Sequence, residues 1–255
     1  MAGFASVFRP GGGEPYAFPK EMMMSTLARV GAVTLLALSL APPASAQVGI
    51  KGGINLTRFV GSDADAYEST PGLDLGASLS LATLGPIQLL GEVYYRQKGA
   101  ELDPADPAAL QELAEGGSYE IGLDYVEIPL LARLDLGGPG SRIRPYLVGG
   151  PAFGWRVSCG VSLSGAEAGA AEPECDDLTE NFGSTVRSYE AGAVAGGGLE
   201  FSLAGLGGVS LDARYTRGLS KIGEGGDALN IRNQSFTVML GYFFGMGVGG
   251  MGPGG

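Results

Sequence analysis

Val209-Ser210-Leu211-Asp212-Ala213-Arg214-Tyr215-Thr216 alternates apolar and polar side chains without a break. A strand repeats every two residues, so this run places Val209, Leu211, Ala213 and Tyr215 on one face and Ser210, Asp212, Arg214 and Thr216 on the other. A helix would scatter both kinds around its axis. The segment reads as a strand with one apolar and one charged face.

The same pattern recurs in both directions from it. In Val48 to Thr57 the even positions are apolar or glycine and the odd ones polar or glycine. Leu73 to Leu81 and Ile87 to Lys98 alternate likewise, with Leu90 breaking the rule in the second. Tyr119, Ile121, Leu123 and Tyr125 oppose Glu120 and Asp124, then the phase slips at Tyr125-Val126, and Val126, Ile128, Leu130 and Leu134 oppose Glu127, Arg133 and Asp135. A slip of one residue predicts a β-bulge there. Segments at Ile143–Val157, Tyr189–Phe201 and Phe236–Phe244 complete a set of about eight. Pro129, Pro145 and Pro151 fall inside strand segments, where bulges or missing ladder bonds are expected.

The connections run alternately long and short. The long ones are 59–71, 101–118, 160–185 and 221–232; the short ones are Gly85-Pro86, Gly137 to Ser141 and Ala204 to Gly208. After residue 46 there are 25 acidic and 13 basic side chains, and the four long connections hold 16 of the acids but only Lys221 and Arg232 among the bases. Short turns at one end and long, charged loops at the other are the habit of membrane barrels. The second long loop suits a short helix with Asp106 as N-cap, Pro107 in the first turn and Gly116 after the end. No apolar run after residue 46 reaches the length of a spanning helix, so entry into a membrane would be by strands.

Alternation does not say which face is inside. Three features choose the membrane barrel over a soluble, lipocalin-like barrel with the apolar face around a ligand. One is the loop asymmetry. Another is the polar face: Lys51, Asp74, Glu92, Arg96, Lys98, Glu127, Arg133, Arg144, Arg156, Glu190, Glu200, Asp212 and Arg214 are nearly balanced in sign, so they can form a lumenal ion-pair network. The last is the placement of Tyr95, Tyr119, Trp155, Tyr189, Tyr215, Tyr242 and Phe244 towards segment ends, where interfacial girdles lie. The fold expected is an all-β, eight-stranded, antiparallel up-and-down transmembrane β-barrel with short periplasmic turns and long outside loops.

Val30 to Leu40 has signal-peptide length, follows Arg29 and precedes Pro42, Pro43 and the small-residue site Ala44-Ser45-Ala46. Residues 1–21 read as an upstream extension or a mis-assigned start ahead of Met22, Met23 and Met24. The expected organisation is signal peptide at 22–46, barrel at 47–244 and a flexible Gly-rich tail at 245–255. Cys159 and Cys175, the only cysteines, read as a disulfide in an exported chain. It would contribute roughly 3 kcal/mol under the loop-entropy model.

Four stretches, Gly49-Ile50-Lys51-Gly52-Gly53-Ile54-Asn55, Tyr94-Tyr95-Arg96-Gln97-Lys98-Gly99, Tyr125-Val126-Glu127-Ile128-Pro129-Leu130-Leu131 and Arg144-Pro145-Tyr146-Leu147-Val148-Gly149-Gly150-Pro151, resemble the outer-membrane β-barrel family that includes the PorT-like proteins. The resemblance covers nearly the whole mature chain and implies an eight-stranded barrel in the bacterial outer membrane. Many outer-membrane barrels end on a terminal aromatic, whereas here Phe244 is followed by eleven residues.

Function follows by elimination. The chain has no histidine, which removes Ser-His-Asp and Asp-His catalysis. Glu127 with Glu190, or a cluster with Arg133, has the residue types for acid–base work, but the ion-pair reading is preferred and no enzyme is expected. Gly149-Gly150 and Gly196-Gly197-Gly198 lack the Lys-Ser/Thr sequel of a phosphate loop. No cofactor is expected. An eight-stranded lumen is filled by side chains, which argues against open, porin-like diffusion. A structural or binding role at the cell surface is left. Outer-membrane lipid surrounds the barrel, and the acidic loop residues Glu172, Glu174, Asp176, Asp177 and Glu180 suit divalent cations, lipopolysaccharide or a surface or periplasmic protein. A monomer that binds no nucleic acid is expected. A soluble periplasmic ligand-binding barrel is the alternative, and an assembly factor for a secretion system rests on the family resemblance alone.

Overall fold

The computed structural model describes residues 47–62, 64, 67–102, 118–138, 141–164, 185–203, 207–224 and 230–244. Its strands are β1 (Val48–Val60), β2 (Tyr67–Leu84), β3 (Ile87–Leu102), β4 (Ser118–Asp135), β5 (Ile143–Ser164), β6 (Thr185–Val186), β7 (Tyr189–Leu203), β8 (Gly207–Gly218), β9 (Gly223–Glu224) and β10 (Arg232–Phe244). Eight of them close a barrel in the order β1-β10-β8-β7-β5-β4-β3-β2, every pair antiparallel. Closure leaves no edge strand, so the ladder satisfies the backbone within lipid. The two-residue strands β6 and β9 pair with each other beyond the barrel rim.

Burial alternates with the polar face inward, most regularly in β1, β8 and β10. In β8 the even residues Ser210, Asp212, Arg214 and Thr216 are buried, while Leu211, Ala213 and Tyr215 are exposed. Ile54, Leu240, Phe236 and Leu147 are each more than half exposed, which in a soluble protein would be a large apolar patch and here is a lipid face. No helix among the described residues is long and apolar enough to cross a membrane; the crossing is by strands.

The structure corrects three expectations. Burial in β4 keeps one phase throughout, with Leu123, Tyr125, Glu127, Leu131 and Arg133 all inward. The irregularity lies across the ladder: Asp124 pairs with Ser158 but Tyr125 with Arg156, so the extra residue is Val157 of β5. Leu90, the apparent rule-breaker, keeps its phase too and packs inward on Leu131 and Tyr146. Finally, the connection expected at 59–71 shrinks to 61–66, and β5 runs on to Ser164. A tilted strand crosses the apolar layer in about 9–11 residues, whereas β5 has 22. Hydrophobic patterning stops at the membrane edge but pairing continues into water, so the long-loop end stands above the bilayer.

Of the expected proline effects, the β4–β5 ladder skips the rungs at Leu130 and Leu131, opposite Pro151 and Gly150. The helix expected near Asp106, the signal peptide and the tail lie outside the described residues.

Several glycines mark close strand contact. A Cβ on Gly53 would stand 2.1 Å from the Val238 carbonyl oxygen and 2.7 Å from Met239 Cα, whereas one on Gly160 meets nothing within 4 Å. Gly53→Val should therefore destabilise the barrel by about 3 kcal/mol, as overpacking does, and Gly160→Ala by less than about 0.5 kcal/mol. Urea unfolding in lipid vesicles reads both.

Candidate functional site: the lumen

The strand pleat turns all thirteen charged residues of the sequence-derived network into the interior. Eleven are buried, and Arg144 and Arg156 are partly exposed. Twelve of them, all but Arg156, assemble into three sets.

The middle set is a ring. Lys51 of β1 contacts Glu92 of β3 at 3.1 Å and Asp212 of β8 at 3.4 Å, and Arg214 of β8 contacts Glu92 at 2.5 Å and Asp212 at 3.2 Å. The Tyr146 hydroxyl donates to Asp212 Oδ1 at 2.7 Å and the Ser210 hydroxyl to Oδ2 at 3.0 Å. Two bases thus share two acids, and the second oxygen of each acid is also used. That is how a buried charge pair recovers its desolvation cost.

The second set is a chain towards the loop end. Asn55 donates to Asp74 at 2.6 Å; Asp74 faces Arg96 at 3.5 Å; Glu127 joins Arg96 and Lys98 at 2.9 Å each. Lys98 reaches Glu190 at 3.2 Å, which also accepts from Asn233 at 2.8 Å. These residues belong to β1, β2, β3, β4, β7 and β10, so one network ties six of the eight strands. The third set lies at the short-turn end: Arg133 contacts Glu200 at 2.6 Å and Asp135 at 2.7 Å, and Arg144 pairs with the other Glu200 oxygen.

Two inward apolar clusters flank these layers. Along β4 the inward residues run Arg133, Leu131, Glu127, Tyr125, Leu123 from the short-turn end upward. Leu131 belongs to a cluster with Leu90, Tyr146, Val148, Ala152 and Val194; Leu123 and Tyr125 belong to another with Phe59, Ala64, Ala100 and Ile231. The upper cluster caps the charged chain.

Sequence reasoning left out two kinds of participant. Asp135 was assigned to the polar face but not to the network, and it supplies a seventh acid against seven bases. Four inward aromatics carry the cations: Lys51 lies 5.4 Å from the Phe243 centroid, Arg96 4.8 Å from Tyr94, Lys98 4.8 Å from Tyr125 and Arg133 3.9 Å from Tyr146. Their signal was phase, since Tyr94, Tyr146 and Phe243 share the parity of their strands' polar residues. One glycine of the runs at 149–150 and 196–198 makes room for a ring, since a Cβ on Gly198 would stand 2.6 Å from the Tyr146 hydroxyl, whereas one on Gly150 or Gly196 would meet a neighbouring strand's carbonyl oxygen at 2.0 or 2.4 Å.

Glu127 and Glu190 are joined through Lys98, so neither is poised as a free acid or base. Among the described residues no group of His, Cys, Asp or Glu could hold a metal ion. Glu172, Glu174, Asp176, Asp177, Glu180 and Cys175 lie outside the described residues; Cys159, on β5, packs beside the upper apolar cluster.

Removing one member of a buried pair strands its partners, at about 3–5 kcal/mol. Glu92→Leu should lose that much stability, because Lys51 and Arg214 both depend on it. Arg144→Met, at a rim position with 28% side-chain exposure, should lose under about 1 kcal/mol. Equilibrium unfolding of the two variants in vesicles tests the difference.

Known proteins of similar shape can now be set beside this barrel. Neisserial surface protein A is 12% identical, with 78% of this chain and 97% of that one covered and a TM-score of 0.43. OprG from Pseudomonas aeruginosa is 12% identical, with 78% and 96% covered and a TM-score of 0.43. The outer membrane enzyme PagL is 15% identical, with 75% and 97% covered and a TM-score of 0.38. Likenesses this distant carry no argument about role. No curated protein matches the chain. A family model described as the outer membrane protein β-barrel domain matches residues 39–224. With that match over most of its length, the chain belongs to the outer-membrane protein β-barrel family and is a protein of the bacterial outer membrane, not a soluble periplasmic ligand-binding barrel.

Proposed function

We propose that this protein is a non-enzymatic outer-membrane barrel with a structural or binding role at the cell surface and a lumen closed to solutes. The observation that carries the reading is the mid-barrel ring: the side chains of Lys51, Glu92, Asp212 and Arg214 are only 0–1% exposed, although all four are charged. A water-filled channel would leave such groups hydrated. Their pairing across the barrel and the apolar clusters beside them leave the interior to side chains, as an eight-stranded diameter favours.

Catalysis has little to work with. There is no histidine in the chain, and the carboxylates Glu92, Glu127, Glu190, Glu200 and Asp212 are each committed to a base. The working surface in this reading is the loop end. The acidic residues Glu172, Glu174, Asp176, Asp177 and Glu180 would meet divalent cations, lipopolysaccharide or a protein, with Cys159 and Cys175 closing that loop as a disulfide. Cleavage after Ala46, a monomeric barrel and a place near the PorT-like proteins complete the proposal, on the sequence features already described.

Planar-bilayer recording of the folded protein tests closure. The expected trace is a flat baseline with at most rare small events; a steady large conductance would refute the reading.

A further inference from the structure

Near the loop end the outward face turns from apolar to polar within one step on three neighbouring strands, with arginine on two of them. Leu56, Phe236 and Tyr215 form the last apolar row, joined by the pairs Leu56↔Phe236 and Phe236↔Tyr215. The next outward row is Arg58, Gln234 and Arg217, joined by Arg58↔Gln234 and Gln234↔Arg217. One step higher on β10, Arg232 pairs with Val60. With strands about 4.8 Å apart and about 3.4 Å per residue, Arg58 and Arg217 stand about 10 Å apart, and Arg232 about 7 Å from the Gln234 between them.

Uncharged groups hold this patch in place. With its amide oriented to satisfy both neighbours, Gln234 donates to the Tyr215 hydroxyl at 3.0 Å and accepts from Arg58 Nε and Nη2 at 3.1 Å each. Arg232 Nε donates to the Leu219 carbonyl at 3.3 Å. Among the described residues none of the three arginines joins an ion pair, whereas Arg96, Arg133, Arg144 and Arg214 in the lumen all do. Arg58 and Arg217 are exposed and Arg232 is half-buried. A guanidinium has five N–H donors in a fork that matches two phosphate oxygens, so most of this donor capacity remains open. The corresponding border on the other side of the barrel is different: there Gln97 pairs with Asp124, whose carboxylate accepts from Tyr95 at 2.7 Å.

We propose that Arg58, Arg217 and Arg232, set by Gln234, seat the phosphorylated headgroup of an outer-leaflet lipid, whose acyl chains lie on the apolar columns beneath. The charge is complementary, and the height is that of a headgroup. Directly below are Phe236, 52% exposed, and Ile54, 65% exposed. A free phosphate would make no use of that surface. The contact is direct and needs no bridging cation, unlike one made through the acidic loops.

The test uses the full folded protein in neutral phosphatidylcholine nanodiscs, titrated with bisphosphorylated lipid A in the presence of a chelator and read by native mass spectrometry. The wild-type barrel should retain one lipid A under these conditions. Each of Arg58→Gln and Arg217→Gln should weaken retention about tenfold, the loss expected for a charged hydrogen bond; Arg142→Gln, at the short-turn end, should leave it unchanged. The substituted side chains lie outside the ladder, and heat-dependent gel mobility checks that each variant folds; if one does not, the other gives the same reading. Retention by both variants at wild-type strength, loss of binding in chelator, or equal displacement by inorganic phosphate at the same concentration would each overturn the proposal.

Discussion

Charge buried in a space too narrow for water is the constraint on which this barrel depends. An unpaired ion removed from water costs several kcal/mol, and eight strands leave an interior that side chains nearly fill. The charges must therefore find one another across the lumen. Lys51, Glu92, Asp212 and Arg214 do so from β1, β3 and β8, with no two of these strands adjacent in the barrel. The ring lies beside the apolar cluster of Leu131 and Val148, and the charged chain above it is roofed by the cluster of Leu123, Tyr125 and Phe59. Excluding water strengthens each pair and raises the cost of every pair left unmade.

The same constraint fixes register from both faces. A one-residue slip of β8 would move Asp212 and Arg214 to lipid and Leu211 to the lumen. A lysine or arginine on the lipid face near the bilayer midplane costs roughly 2–4 kcal/mol, and the partners left inside would be stranded as well. The glycines serve the same end: Gly198 leaves room for Tyr146 to reach Asp212. Above the apolar layer the constraint relaxes, and the outward arginines of β1, β8 and β10 lie free of acidic partners among the described residues.

Much of this could be read in the alternation, because a strand's period of two is local. Eight segments, an all-β barrel and the inward parity of residues such as Asp212 and Arg214 follow from neighbouring residues alone. Tyr125 and Leu123 could not be placed this way, since they are apolar residues on the inward face; their role as a cap depends on Phe59 and Ile231 from distant strands. The extra residue at Val157 was invisible for a related reason. A bulge is a property of a pair of strands, and apolar residues inward on β4 imitated a phase slip in that strand. Strand ends were likewise misread where lipid no longer imposes a pattern. The pairing within the network also required the fold: the sequence listed the charges but not that Glu127 would lie between Arg96 and Lys98, or that Asp135 would join Arg133.

The chain's single tryptophan permits a direct test of which face is which. Trp155 is 50% exposed on the outward face of β5, beside Tyr189 on β7. Its fluorescence, measured after reconstitution into vesicles whose phosphatidylcholine carries bromine along the acyl chains, reads contact with lipid directly. Strong quenching relative to unbrominated vesicles is the result required by an apolar exterior around a paired, charged lumen. Fluorescence indifferent to bromine at every depth would put Trp155 inside and contradict the arrangement of both faces.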